Sequence, residues 1–254
     1  MPTTQPEAQN HAPVPVSSHE RVLMVLMALA QAGKPISAAD LIKKTGLAKS
    51  TLYRQLSILK RWGFVFESNN LYAPGPVSLQ LALGFDEASL LTQYAKQDMQ
   101  KLADQSHESV AISIVMHQQA VCIEMIESSH SLRCSFEKGR SVPLREGATA
   151  KCLLAHLPEP QQDIILQADF PDASQQLARK QLLQDIRTQG YACSESEVDP
   201  GVWGVSVPLF SRNRYLLGTL TLMAPSIRAT GKENSFVQMT LITAARINYQ
   251  LQNR

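Results

Sequence analysis

The chain has 254 residues, with 24 Lys and Arg against 22 Asp and Glu, a formal net charge of only +2. No apolar run approaches membrane-spanning length and no signal peptide is visible, which excludes an integral-membrane reading and makes the cytoplasm the expected location. The four cysteines (Cys122, Cys134, Cys152, Cys193) form no C-x-x-C pair and have no His at zinc-finger spacing, so they are expected to be small buried residues rather than metal ligands, and no cofactor is expected.

Residues 1 to about 16 contain four prolines and little apolar material, which reads as a disordered tail. Ser17 and Glu20 then form an S-x-x-E capping box. Val22, Val25, Leu26 and Leu29 follow as an apolar stripe, so a helix is expected up to Gly33-Lys34-Pro35.

The next stretch, SAADLIKKTGLAKSTLYRQLSIL from Ser37 to Leu59, is the most informative in the chain. Ser37 is placed to cap a short helix with Asp40 at its third position. Ile36, Leu41 and Ile42 can face inward, and Gly46 suits the left-handed residue that ends a helix. A second helix begins at Lys49, with Leu52, Leu56 and Leu59 on one face. Its other face carries Lys49, Ser50, Thr51, Tyr53 and Arg54, side chains that can donate to phosphates or reach base edges. Between Lys34 and Arg61 stand seven Lys or Arg and one acid, Asp40, so positive charge is concentrated there in an otherwise near-neutral chain. Two short helices joined by a Gly turn predict a helix-turn-helix that reads double-stranded DNA. Ser37, Lys49, Ser50, Thr51, Tyr53 and Arg54 are the candidate DNA contacts. Phe64–Glu67 and Leu71–Ala73 flank Ser68-Asn69-Asn70 and predict a β-hairpin, which completes a winged helix with a weakly charged wing.

After Pro74-Gly75-Pro76 the pattern predicts a short helical segment, Val77–Leu83, and a longer helix from Asp86 to about Ser106 with Leu91, Ala95, Met99 and Leu102 on one stripe. That helix suits a dimerising connector or the first helix of the next domain. The remaining ~150 residues are one domain length. Strands are expected at Val110–Met116, Ala120–Glu127, Leu132–Glu137, Gly204–Phe210 and Tyr215–Met223. Helices are expected at Ala148–His156, Gln161–Gln167, Ser174–Gln189 and Lys232–Leu251. Hairpins at both ends with helices between them predict an α+β domain built on an antiparallel sheet. The domain boundaries so drawn are 1–16 (tail), 17–76 (winged helix), 77–106 (linker helices) and 107–254 (second domain).

Signals for catalysis are weak, and no enzyme is expected. No nucleophile elbow, zinc-protease motif or phosphate loop occurs. His107, His117 and His130 could converge, although surface or hydrogen-bonded histidines are the simpler reading. Glu195, Glu197 and Asp199 lie in a turn-rich run that reads as a solvated loop.

At this point the chain resembles the IclR family of bacterial transcriptional regulators. The resemblance rests on HERVLMVLMAL and GLAKSTLYRQLSILKRWGFV in the first domain. In the second it rests on GRSVPLREGATAKCLLA and GYACSESEVDPGVWGVSVPLFSRNRYLLGTLTLMAP. It implies a winged helix joined by a linker helix to a GAF-like effector domain, dimers often paired into tetramers, and control of a nearby operon by a small metabolite. Carried over residue by residue, it implies that backbone N–H groups at Ala148 and Thr149 hold an effector carboxylate at a helix N-terminus. Ser194, Gly204, Thr221 and Met223 would complete the lining. Family members that bind small keto acids have more polar side chains at those last four places, so a less polar effector, an aromatic or longer-chain acid, is expected unless Met223 merely fills the core. The alternative left open is a ligand-independent DNA-binding protein whose second domain serves only for oligomerisation.

Overall fold

A computed structural model of the chain describes residues 17–134 and 136–253, with backbone alone at 86–88. The expected tail, residues 1–16, lies outside the described residues. The chain divides into two compact units, residues 1–82 and 83–254.

The first unit contains α1 (Ser18–Ala32), β1 (Ile36–Ser37), α2 (Ala38–Thr45), α3 (Lys49–Arg61), β2 (Val65–Ser68) and β3 (Leu71–Pro74). The expected capping box is present at Ser17 and Glu20, and Gly33 and Gly46 end α1 and α2 in the left-handed region. One apolar face from each helix forms the core, where Val25, Leu29, Leu41, Leu52, Leu56 and Leu59 are buried with Val65 and Tyr72. Asn69 and Asn70 take φ of 51° and 60°, the two consecutive left-handed residues that a tight hairpin between β2 and β3 requires. The two-residue strand β1 adds to β3, a pairing too short to leave an alternating pattern in the sequence.

The connecting region departs from expectation. α4 runs unbroken over Pro76–Ala88 and α5 over Leu90–Ser106, so the break falls at Ser89 rather than between Leu83 and Asp86. Ser89 decides it: its hydroxyl accepts from the Thr92 N–H at 3.4 Å as a helix cap, whereas Gly84 inside a helix costs only about 1 kcal/mol.

The second unit adds β4 (Ser109–Met116), β5 (Gln119–Ile126), β6 (Ser141–Pro143), α6 (Ala148–His156), α7 (Glu159–Asp169) and α8 (Ala173–Gln189). It closes with β7 (Ala192–Glu195), β8 (Val202–Phe210), β9 (Leu216–Pro225), α9 (Ser226–Ala229) and α10 (Glu233–Gln252). One antiparallel sheet has the order β6-β5-β4-β9-β8-β7. Alternation along the strands gives its two faces different chemistry. Val110, Ile112, Val205, Val207, Leu220 and Leu222 meet Ala95, Met99 and Leu102 of α5 and Phe236, Ala244 and Ile247 of α10 in an apolar core. The opposite face carries Ser206, Thr219 and Thr221, all buried.

The strand expected at Leu132–Glu137 is absent among the described residues, and the edge of the sheet is β6 instead. Cys134 and Phe136 turn inward to a small cluster with Cys122 and Met223. The chain then docks on β5 only after a turn, with the Gly139 N–H donating to the Cys122 carbonyl and the Cys122 N–H to the Arg140 carbonyl. β7 leaves no strand pattern in the sequence because it is an edge strand of only four residues.

Candidate functional site

Two regions collect the candidate residues. In the first unit, Lys49, Ser50, Tyr53 and Arg54 are exposed on α3 and Thr51 is half-buried. Among the described residues none of these five side chains makes a hydrogen bond or ion pair inside the protein, so their donors remain available. The N-cap of α3 is Ala48, which supplies no side-chain hydrogen bond. The first N–H groups of α3 are thus left for an outside acceptor, and a helix N-terminus favours an anion. Ser37 differs from the other five. Its hydroxyl accepts from the Asp40 N–H at 3.2 Å and donates to Asp40 Oδ2 at 2.7 Å, so its first role is to cap α2. On the wing, Glu67 is drawn inward: its carboxylate pairs with Lys60 and accepts from the Tyr72 hydroxyl at 2.9 Å. Those two hydrogen bonds hold Glu67 below the usual carboxylate range. Burial, reinforced by Glu67, pushes the Tyr72 phenol up to about 12.

In the second unit, all six expected effector residues line one cavity, between the N-terminus of α6 and the hydroxyl-bearing face of the sheet. Ala148, Thr149, Ser194, Gly204, Thr221 and Met223 share it with Phe136, Val142, Val198, Val202 and the acids Glu146, Glu197 and Asp199. The open volume is about 50 Å³. Thr221 and Met223 share a face of β9 by alternation. Gly204, opposite Met223 in the β8–β9 register, leaves space: a Cβ there would meet only ordinary contacts at 3.6 Å or more.

Most polar groups of this cavity already have partners within the protein. Thr221 Oγ1 bonds to Thr149 Oγ1 at 2.9 Å and to Ser206 Oγ at 2.8 Å, a buried chain of hydroxyls from α6 into the sheet. Ser194 Oγ accepts from the Ala148 N–H at 2.8 Å. Glu197 Oε2 accepts from the Gly147 N–H at 2.8 Å, and Glu197 Oε1 receives Lys151 Nζ at 2.6 Å. Arg140 grips Asp199 with two bonds of 3.0 Å. Gly147 sits at φ 88°, and a Cβ on it would come within 2.8 Å of Val198 Cγ2, so only glycine permits this close seating of the loop. The reading of Glu195, Glu197 and Asp199 as a solvated loop holds only in part: Glu195 ends β7, and Glu197 and Asp199 lie in the loop but with paired carboxylates. The missed signal was pairing across 46 and 59 residues, which local pattern does not reveal.

The remaining candidates do not assemble into a site. The rings of His107 and His130 lie edge to face, 6.4 Å between centroids, while His117 occupies the β4–β5 turn at φ 48°. Among the described residues, no three His, Cys, Asp or Glu could hold a metal ion. The four cysteines are free thiols. Burial pushes Cys122 up to about 12, Cys134 and Cys193 to about 11, and Cys152 upward as well.

Comparison with known proteins decides the family. The model for the IclR helix-turn-helix domain matches residues 18–67, and that for the bacterial transcriptional regulator IclR C-terminal domain matches residues 87–249. The chain belongs to the IclR family. As an IclR-family transcriptional regulator it pairs a helix-turn-helix domain with a C-terminal effector domain. It is 28% identical over 243 residues to the regulator KdgR of Dickeya chrysanthemi, covering 92% of this chain and 79% of that one. It is 23% identical to the transcriptional repressor IclR of Escherichia coli, covering 91% and 88%. An IclR family regulator from Brucella abortus shares the fold with a TM-score of 0.78 at 22% identity, covering 92% of both chains. An IclR homologue from Microbacterium hydrocarbonoxydans, solved with 4-hydroxybenzoate, has a TM-score of 0.73 at 18% identity, covering 94% and 100%.

Proposed function

We propose that this IclR-family regulator binds operator DNA through α3 and that a small organic acid, aromatic or longer-chain, held in the cavity of the second unit, switches that binding. One observation carries the reading: Ala148, Thr149, Ser194, Gly204, Thr221 and Met223 line a single cavity at the N-terminus of α6. Phe136, Val142, Val198, Val202 and Met223 supply apolar walls, which suit a ring or chain better than a keto acid of two or three carbons. The 4-hydroxybenzoate bound by the Microbacterium homologue is of the same chemical class. We read the protein as a regulator and not an enzyme, since the cavity hydroxyls serve one another and none is paired with a base. Among the described residues no helix is long and apolar enough to cross a membrane, in keeping with work on DNA in the cytoplasm.

The partners we propose are double-stranded operator DNA, the acid effector and a second copy of the chain. Leu79 and Leu83 on one side of α4 and Leu81 and Phe85 on another are 65%, 58%, 61% and 46% exposed, apolar surface that a single copy leaves in water. Pairing along α4 gives a dimer that presents two α3 helices to two half-sites, about one DNA turn apart, and two dimers could pair as a tetramer. The domain division we adopt is 17–76 for DNA, 77–106 as linker and 107–254 for the effector.

A second reading has one observation in its favour. The open volume of about 50 Å³ is below the few hundred Å³ usual for ligand sites, as it would be if the domain only oligomerised. Thermal-shift and calorimetric titration with carboxylic acids tests both. Saturable binding that Thr149→Val weakens supports the effector reading, and a panel without any binder supports oligomerisation alone.

A further inference from the structure

The mouth of the cavity is closed by the segment 196–201 between β7 and β8. Ser196 at φ 56° and Gly201 at φ 75° turn it, and the Gly201 N–H donates to Ser196 Oγ at 3.0 Å. This turn places Glu197, Val198 and Asp199 in the cavity lining. The Glu197 carboxylate bridges two donors of α6, the Gly147 N–H at its N-cap and Lys151 Nζ one turn along. The burial of the pair is unequal, with the Lys151 side chain 9% exposed and that of Glu197 33%. The cation is fixed inside on a helix, and the anion is carried on an outer loop. A helix N-terminus with a buried ammonium beside it is a carboxylate site, and here a carboxylate of the protein itself occupies it.

We infer that Glu197 is the resident internal ligand of the effector site, and that the effector is an anion which enters by exchanging its carboxylate for that of Glu197. This rests on reading the cavity as the effector site. On exchange the effector takes over the Gly147 N–H and Lys151 Nζ, while the segment 196–201 swings out and gives the ring or chain the volume the closed cavity lacks. Charge is conserved beside Lys151 in this exchange. A neutral analogue would leave a buried ammonium without a counter-charge, a severe penalty. Lys151 and Glu197 together therefore restrict the site to anions. The Arg140–Asp199 pair and the contact of Val198 with Gly147 are the other latches on the same segment.

The test uses the full chain, titrated by calorimetry with benzoate, 4-hydroxybenzoate and the neutral benzamide, with the Gly147 and Ala148 amides followed by 15N NMR. Glu197→Gln keeps an acceptor but removes the competing charge, and is expected to bind the two acids about tenfold tighter than wild type or better. Benzamide, which brings no charge to Lys151, should bind both proteins far more weakly than the acids, and adding Lys151→Met should erase the gain for the acids. Asp199→Asn frees the segment while leaving Glu197 in place, and should tighten acid binding in the same direction; it serves where Glu197→Gln folds poorly. Acids that bind wild type and Glu197→Gln equally would make Glu197 a structural strap, and the inference would fail while the effector site stood. If no acid bound either protein and both amide resonances stayed fixed, the inference and the effector site would fall together.

Discussion

The two functional regions are built on opposite plans. Among the described residues the candidate side chains Lys49, Ser50, Thr51, Tyr53 and Arg54 on α3 make no hydrogen bond or ion pair inside the protein, and the helix N-terminus lacks a side-chain cap. In the cavity of the second unit, the proposed effector site, Thr149, Thr221, Ser194 and Glu197 are all hydrogen-bonded internally. An unpartnered face accepts a ligand without rearrangement, and water satisfies it meanwhile. A buried cavity cannot leave polar groups unsatisfied, so its groups bond to one another until a ligand displaces them. The difference teaches that on the proposed reading DNA needs only to dock, whereas an effector must break contacts, and that breaking is what can be coupled to a switch.

Substitutions can separate the two plans. Thr221→Val removes the middle of the hydroxyl chain and should cost about 1–3 kcal/mol of unfolding free energy, read by denaturant titration. Arg54→Ala should leave stability within about 0.5 kcal/mol while weakening specific DNA binding by about 1–3 kcal/mol, read by fluorescence anisotropy. Equal effects of these two changes on stability would break the comparison. Ala48→Ser supplies the missing cap and should stabilise the first unit by about 1 kcal/mol. If phosphate completes that cap in the complex, the same change should lower DNA affinity slightly. Thr219→Val makes a useful opposite to Thr221→Val. Among the described residues the Thr219 hydroxyl is buried without a hydrogen-bond partner, so its removal should raise stability by about 1 kcal/mol.

A smaller effect concerns pH. Burial lowers the pKa of His156 from 6.5, assisted by the charge of Arg187 and opposed by the bond of its Nδ1 to the Cys152 carbonyl at 2.8 Å. A depressed folded value means the unfolded chain takes up the proton first. The contribution is therefore complete above about pH 6.5 and is lost as pH falls through the lower folded value. His156→Gln should flatten the acid side of the stability profile in that window, measured by denaturant midpoints from pH 4 to 8.

Much of the fold was legible in the sequence where one element determines itself. The stripe Leu52, Leu56, Leu59, the capping box at Ser17 and Glu20 and the two wing asparagines each act over a few residues, and each lies where its local rule puts it. α6 was legible to the residue, Ala148–His156. What stayed hidden depends on partners far along the chain. The Lys151–Glu197 and Arg140–Asp199 pairs join residues that no periodicity connects. β7 is a strand because β8 lies beside it, and the described residues of 132–137 form none because Cys134 and Phe136 have a cluster to fill. The six candidate effector residues are legible through family resemblance, whereas the pairing of Glu197 with Gly147 and Lys151 is visible only in the structure.

The central claim is that an acid in the cavity changes the binding of α3 to DNA. We would select bound DNA from a random library, then measure operator affinity at near-physiological salt with and without a panel of aromatic and aliphatic carboxylic acids, with Arg54→Ala alongside. The expected result is sequence-specific binding that the variant loses and that at least one acid shifts about tenfold or more, in the range of known allosteric couplings. Specific binding that stays constant across every acid shown by calorimetry to occupy the cavity would contradict it.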